Sequence, residues 1–456
     1  MTLIDKVAKK AGRRVHGWRN EKDLTQRLAS IAHLFAGNFT SSLIGLAAFA
    51  LTARALGPSQ YGILALCYAF TRAVERLLSF QSWQPLIKFG AEAKESGAID
   101  DLRQLMKFGL LLDAAAAFLA FVVAMLLVLL AAPLVGISEE ARTLAAIYCF
   151  VLPFQLSGMP TAVLRLYGKF PTLAYGQVAT SAVRVCLCGL GVALSWGLLE
   201  FTLIWMGMQI VSALSMVLLA FRELRKRGLS GVLSVPVLGV TKRFPGLWRF
   251  AFSANLSLTI RSSANELDTL LVGYLAGPAA AGLYHIARRI GRLAQQGGVQ
   301  VQAVVYPELA RLWSGAQITG FARVVRQTQW MLLAGGVALV LSIYLSIEPL
   351  LRWAAGADFE AAAPLVIVQA VAVMMTLCGS VLRSALLAMG LQGKVLQSVL
   401  LSTAAFHLTA LMLIPQIGAM GANVAHIVMA TIWMAAMTLA YRSELGRISR
   451  NDIGAT

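Results

Sequence analysis

Long apolar runs without a charged residue recur along the chain, separated by short clusters of Lys and Arg. They cover 28–53, 114–138, 143–164, 201–221, 327–347 and 361–382. The run 395–441 is long enough for two crossings divided near Pro415-Gln416-Ile417-Gly418. Crossing a bilayer takes about 20 apolar residues, so each run predicts a membrane-spanning helix. Between them lie apolar stretches that carry a few ionisable residues. Together the pattern predicts twelve helices, at 28–53, 61–79, 107–131, 141–166, 172–195, 199–221, 247–272, 279–305, 327–348, 361–387, 394–414 and 419–441. Leu and Ala, both strong helix formers, dominate these segments, and the period-two alternation of a membrane barrel is missing. The expected class is an all-α polytopic membrane protein.

The pattern also repeats. Gly57-Pro58-Ser59-Gln60-Tyr61-Gly62 and Gly277-Pro278-Ala279-Ala280-Ala281-Gly282 stand 220 residues apart. Each is followed, ten residues after its last glycine, by an arginine in an apolar helix, Arg72 and Arg292. Asn38-Phe39-Thr40 corresponds to Asn255-Leu256-Ser257, and Val163-Leu164-Arg165 to Val381-Leu382-Arg383, at nearly the same offset. The polar stretch 222–246 separates six predicted spans from six. An even number of spans per half makes the repeat parallel, about an axis along the membrane normal. The expected organisation is therefore a basic amphipathic segment at 1–27, a first six-helix bundle at 28–222, a linker at 223–246, a second six-helix bundle at 247–442 and a tail at 443–456. In each half the Gly-Pro turn is expected to hold two helices antiparallel, because proline cannot continue a helix and glycine admits positive φ.

Composition agrees: 58% of residues are hydrophobic and 13% charged, about half the charged share of a soluble domain. With twelve spans, all but three of the Lys and Arg residues in the loops and at the helix ends fall on one side, the exceptions being Arg54, Arg142 and Arg352. The positive-inside rule assigns that side, and both termini, to the cytoplasm. The net charge of +18 is thus mostly topology, and anionic phospholipids are its expected partner. Cations scattered over short loops do not point to nucleic acid. Cys67, Cys149, Cys186, Cys188 and Cys378 lack metal-ligand spacing and read as packing residues. No cleavable leader is expected, since 1–27 is too long and too charged for an n-region.

Ionisable residues inside the predicted spans are candidates for function, because each must face a partner or a wet cavity. Arg72, Glu75 and Arg76 share one face of the second helix. The eighth carries Arg288, Arg289 and Arg292, with Arg288 and Arg292 one turn apart. If these helices hold equivalent places, their cations converge on the central axis as a site for an anionic headgroup, joined by Arg261 of the seventh helix. Arg76 could instead be neutralised by a carboxylate, and Arg288 and Arg289 could snorkel to the membrane surface. Glu75, Asp113, Glu266 and Asp268 are candidates for gating or ion coupling, with Asp268 paired to Arg261 or Arg292 as an opening lock or as a static pair. Asp113 and Arg184 are lone charges, either paired or lining a cavity. His33, His285, His407 and His426 are scattered singly. No nucleotide-binding loop, nucleophile constellation or metal cluster is present, so neither cofactor, metal nor enzymatic activity is expected.

Ala53-Arg54-Ala55-Leu56-Gly57-Pro58-Ser59-Gln60-Tyr61-Gly62 resembles the Ala-Arg-x-Leu-Gly-Pro-x-x-Tyr-Gly signature of bacterial polysaccharide flippases of the Wzx type, within the multidrug/oligosaccharidyl-lipid/polysaccharide superfamily. Asp268 to Pro278, Gly282-Leu283-Tyr284 and Tyr306-Pro307-Glu308-Leu309-Ala310 are similar to that family's second half. The second turn departs from the first in having three alanines between Pro278 and Gly282. The resemblance implies two bundles around a central cavity. It also implies movement of undecaprenyl-pyrophosphate-linked oligosaccharide units from the cytoplasmic to the periplasmic face by alternating access. O-antigen, capsule or exopolysaccharide would be the product, with a polysaccharide polymerase and a chain-length regulator as further partners. A cation-coupled multidrug exporter of the same superfamily is the alternative. The excess of intramembrane arginine over acid favours an anionic substrate.

Overall fold

The computed structural model describes residues 3–79, 82–131, 139–237, 239–248 and 266–454. These form helices α1 (Leu3–Leu78), α2 (Trp83–Glu95), α3 (Ile99–Ala131), α4 (Glu139–Cys149), α5 (Gly158–Leu166), α6 (Phe170–Ala193), α7 (Leu198–Lys226), α8 (Val240–Arg243), α9 (Asp268–Ser314), α10 (Ile318–Ala355), α11 (Ala363–Ala388), α12 (Gln392–Ile417) and α13 (Ala419–Gly454). No strand occurs among the described residues. Ten described stretches are long and apolar enough to cross a membrane. Ala36–Leu78 holds the first and second predicted helices, and Asp268–Gly298 holds the end of the seventh and most of the eighth. Residues 249–265, most of the predicted seventh helix, lie outside the described residues, with Arg261, Asn255 and Asn265 among them.

Both α1 and α9 are hairpins. Gly57 (φ 69, ψ 172) and Gly277 (φ 85, ψ 172) break the helical path, in a backbone region essentially reserved for glycine. Side-chain contacts show the reversal. Phe49 and Tyr68 rings lie 6.1 Å apart, whereas 19 residues of straight helix would separate them by about 28 Å. The Tyr284 hydroxyl likewise reaches Asp268, 3.1 Å away. The two turns then lock against each other. A Cβ on Gly62 would lie 1.8 Å from the Pro278 carbonyl oxygen, and one on Gly282 would lie 2.6 Å from that of Pro58. The first glycine of each motif makes the turn. The second lets the turns touch.

Three apolar cores show how the halves sit. The largest draws on both, with Phe49, Tyr61, Phe70, Tyr148 and Trp205 packed in one cluster with Tyr284, Phe359 and Phe406. A second is built from 86–247 alone, and a third from 309–437 alone. The halves share a core at the hairpin end and have separate cores at the other, where Gln296 Nε2 donates to Ser42 Oγ between them at 2.7 Å.

Two local expectations change. The predicted fourth helix, 141–166, is broken into α4, a 3-10 turn at Leu152–Phe154 and α5. Pro153 lacks an N–H and biases its predecessor away from helix. Non-helical backbone at membrane depth persists where protein or a cavity surrounds it, and Gln155, Leu156 and Ser157 indeed line a cavity. The segment 222–246, read as a polar linker, is docked. Leu229, Val232, Val240, Phe244 and Leu247 are buried with Leu86, Phe89 and Leu102. Lys107 donates to the carbonyls of Leu233 (2.8 Å) and Val235 (2.7 Å), and Arg103 to that of Gly228 (2.8 Å). Apolar residues interspersed among the charges decide its placement.

Candidate functional site

A cavity of about 470 Å³ opens beside the hairpin core, walled by α1, α6, α7 and the broken 155–161 segment. On α6 the lining residues Gln177, Thr180, Ser181 and Arg184 follow at helical spacing, so one polar stripe faces inward from an apolar helix. Gln209 and Ser212 of α7, with Ser41, Tyr68 and Arg72 of α1, continue the polar wall, and Arg289 enters from α9. Three guanidinium groups therefore line a space in which, among the described residues, no carboxylate takes part in the lining.

The three are held differently. Arg72 donates from Nη1 to Glu75 Oε2 at 2.7 Å. Arg289 lies over the Phe49 ring, 4.3 Å from its centroid, and Arg184 over Trp205 at 4.8 Å. Those two rings are themselves in contact, 4.1 Å between centroids. Trp205 is fixed by an Nε1–H bond to Thr52 Oγ1 (3.1 Å), and Thr52 donates in turn to the Ala48 carbonyl (2.8 Å). A Cβ on Gly45 would stand 3.4 Å from Arg184 Nη2 and 4.0 Å from Arg289 Nη2. The two groups, one from each half, thus come within reach of a single ligand.

The remaining candidates are placed elsewhere. Arg288 is neither in the cavity nor at the surface: it is 1% exposed and ion-paired through Nε with Asp268 Oδ2. Asp268 also accepts from the Tyr284 hydroxyl (3.1 Å), the Thr269 N–H (2.6 Å) and Thr269 Oγ1 (3.2 Å), with His426 Nε2 3.2 Å away. Among the described residues its arginine partner is thus Arg288 and not the expected Arg292, while the expected Arg261 lies outside the described residues. Consecutive helical residues point about 100° apart, which sends Arg288 into the protein and Arg289 into the cavity. Arg292 lines a small crevice with Tyr68, Arg72, Glu266, Asp268 and His285, so the repeat-related pair Arg72 and Arg292 does meet there. Arg76 faces Glu266 at 3.8 Å. Asp113 does not line the large cavity: it accepts the Ser82 hydroxyl (2.5 Å) and the Met159 N–H (2.7 Å), closing the N-terminus of α5. His285 is hydrogen-bonded to Tyr61 across the halves at 2.9 Å. The roles of His426, Trp205 and Phe49 had no local signal, whereas the α6 stripe was legible as polar residues at i, i+3, i+4 and i+7.

The described helices form two halves packed together at paired hairpins, with a charged cavity beside the shared core, which defines a polytopic α-helical membrane protein. The profile of the polysaccharide biosynthesis protein family matches residues 28–313, more than half of the chain. The chain belongs to that family. A curated relative, inner membrane protein YghQ of Escherichia coli (strain K12), is 26% identical over 357 residues, covering 76% of this chain and 98% of its own. Among solved structures, the lipid II flippase MurJ in an inward closed conformation is similar with a TM-score of 0.67 and 14% identity, covering 90% of this chain and 87% of that one. An inward-facing multidrug resistance transporter of the MATE family gives 0.65 and 15%, covering 91% and 95%.

Proposed function

We propose that the cavity receives the phosphate-bearing head of a lipid-linked oligosaccharide and that the protein carries it across the inner membrane by alternating access. The carrying observation is three arginines lining a cavity with no carboxylate in its wall among the described residues. Each arginine at mid-membrane costs roughly 2.5–3.5 kcal/mol, so the cluster is favoured when an anion enters it. A diphosphate offers oxygens to several guanidinium forks at once, and the hydroxyl and amide groups around them suit sugar hydroxyls. A cationic drug would meet like charge, which tells against the multidrug alternative. The volume is in the usual range for small ligands, about 300–1,000 Å³, so it accommodates the headgroup rather than a long glycan.

The basic loops orient the chain with both termini in the cytoplasm, which puts the locked Gly-Pro turns on the periplasmic side. The halves then share one core on the outward side and have separate cores inward. There Gln296 Nε2 still donates to Ser42 Oγ at 2.7 Å, the contact that parts to load from the cytoplasmic leaflet. Surface polysaccharide (O-antigen, capsule or exopolysaccharide) is the end product in this reading.

The test is export in cells that depend on this protein. Arg72→Ala, Arg184→Ala and Arg289→Ala, singly and combined, are expected to abolish surface polysaccharide and to accumulate the lipid-linked unit, with protein levels in the membrane unchanged. Normal export by the combined variant would refute the assignment.

A further inference from the structure

Arg184 and Arg289 differ from Arg72, Arg76 and Arg288 in what neutralises them, and from Arg292, which shares a crevice with Glu266 and Asp268. Arg72, Arg76 and Arg288 each face a carboxylate. Arg184 and Arg289 make no ion pair among the described residues, and Arg184 Nε is buried without a hydrogen-bond partner. What they share is an aromatic face: Trp205 under Arg184, Phe49 under Arg289. The distinction matters chemically. A carboxylate partner occupies the N–H donors that a ligand would need. A π face attracts the cation through its quadrupole and leaves the in-plane donors free.

We propose that the contacting Phe49–Trp205 pair is a positioning platform that holds Arg184 and Arg289 as a clamp for a diphosphate, keeping their donors unspent. The inference rests on the anionic-headgroup reading above and adds its positioning residues. The clamp is split between the halves: Phe49, Trp205 and Arg184 belong to the first, Arg289 to the second. It is complete only while the hairpins are locked. Rocking at that end withdraws Arg289 from Phe49, so affinity falls as the site opens outward and the headgroup is released. Gly45 marks where the two groups converge, since a Cβ there would lie in ordinary contact with both Nη2 atoms.

The experiment measures binding of inorganic pyrophosphate and of a polyprenyl diphosphate to the purified full-length protein in detergent at low salt. Phe49→Leu and Trp205→Leu are each expected to weaken diphosphate binding about 2- to 30-fold, the range a cation–π contact supports. Phe49→Tyr and Trp205→Phe, which keep a π face, are expected to restore most of it. In a double-mutant cycle, Trp205→Leu is expected to add nothing once Arg184 is Ala, and Phe49→Leu nothing once Arg289 is Ala. A packing role would give additive losses in that cycle, and additivity would overturn the proposal. Should Trp205→Leu not fold, Phe49→Leu and the two conservative variants carry the same comparison. Leucine variants that bind like wild type, while the arginine variants do not, would remove the platform and leave the proposed function standing. Arginine variants that also bind like wild type would remove the proposed function itself. Tighter binding of the polyprenyl diphosphate than of pyrophosphate marks a lipid headgroup as the ligand. Tighter binding of pyrophosphate would overturn the lipid reading while keeping the clamp.

Discussion

Replacing Gly62 with alanine tests whether the hairpin lock is part of the transport cycle. The added Cβ would stand 1.8 Å from the Pro278 carbonyl oxygen and 2.5 Å from its carbonyl carbon. Both are backbone atoms, so no rotamer change relieves the overlap. Ordinary contact is about 3.5 Å, so the turns must separate by about 1.5 Å. Forcing a methyl into a packed contact costs about 1–3 kcal/mol, which shifts a closed–open equilibrium about 5- to 150-fold toward open. Gly282→Ala meets the Pro58 oxygen at 2.6 Å and should act in the same direction, less strongly. Gly57→Ala is the contrast. Nothing lies within 4 Å of its Cβ, but its backbone conformation is glycine-specific, so it should lower thermal stability without prising the turns apart. Spin labels on Ser59 and Ala279, in a cysteine-free background, would report the distance between turns. A longer distance with loss of export is expected for Gly62→Ala. An unchanged distance with normal export would refute the reasoning.

Asp268→Asn leaves Arg288 buried without its counter-charge and should cost about 3–5 kcal/mol, seen as a lower unfolding temperature. Replacing both partners, Asp268→Asn with Arg288→Met, should recover much of that loss, and an equal loss in the double variant would contradict the pairing. Asp113→Ala removes the acceptor for Ser82 and the Met159 N–H and should cost about 1–3 kcal/mol while sparing diphosphate binding. Lost binding in a stable Asp113→Ala protein would instead assign it a role in the cavity.

Most of the helical frame follows from one-dimensional properties of the chain. The length of the apolar runs, the glycine and proline of each turn and the distribution of Lys and Arg are local, and bilayer thickness and backbone sterics act on them locally. Hence α3, α6, α7 and α10 to α13 lie close to the predicted spans. The candidate site was legible only as a set of charges inside apolar helices. Which charges meet depends on helix rotation and on what packs opposite, and neither is encoded in spacing alone. Arg288 and Arg289 are neighbours in sequence, yet one is locked to Asp268 and the other lines the cavity. Asp113 reads as an ion-coupling candidate until the break after Pro153 supplies the helix end that it caps. Gly62 and Gly282 read as turn residues until the two hairpins are laid against each other, where backbone contact, not φ, demands them. The sequence alone determined a twofold-repeated membrane helical protein with arginines at depth. The tertiary structure decided which arginines share a cavity, because only packing brings Phe49, Trp205 and Gly45 beneath them.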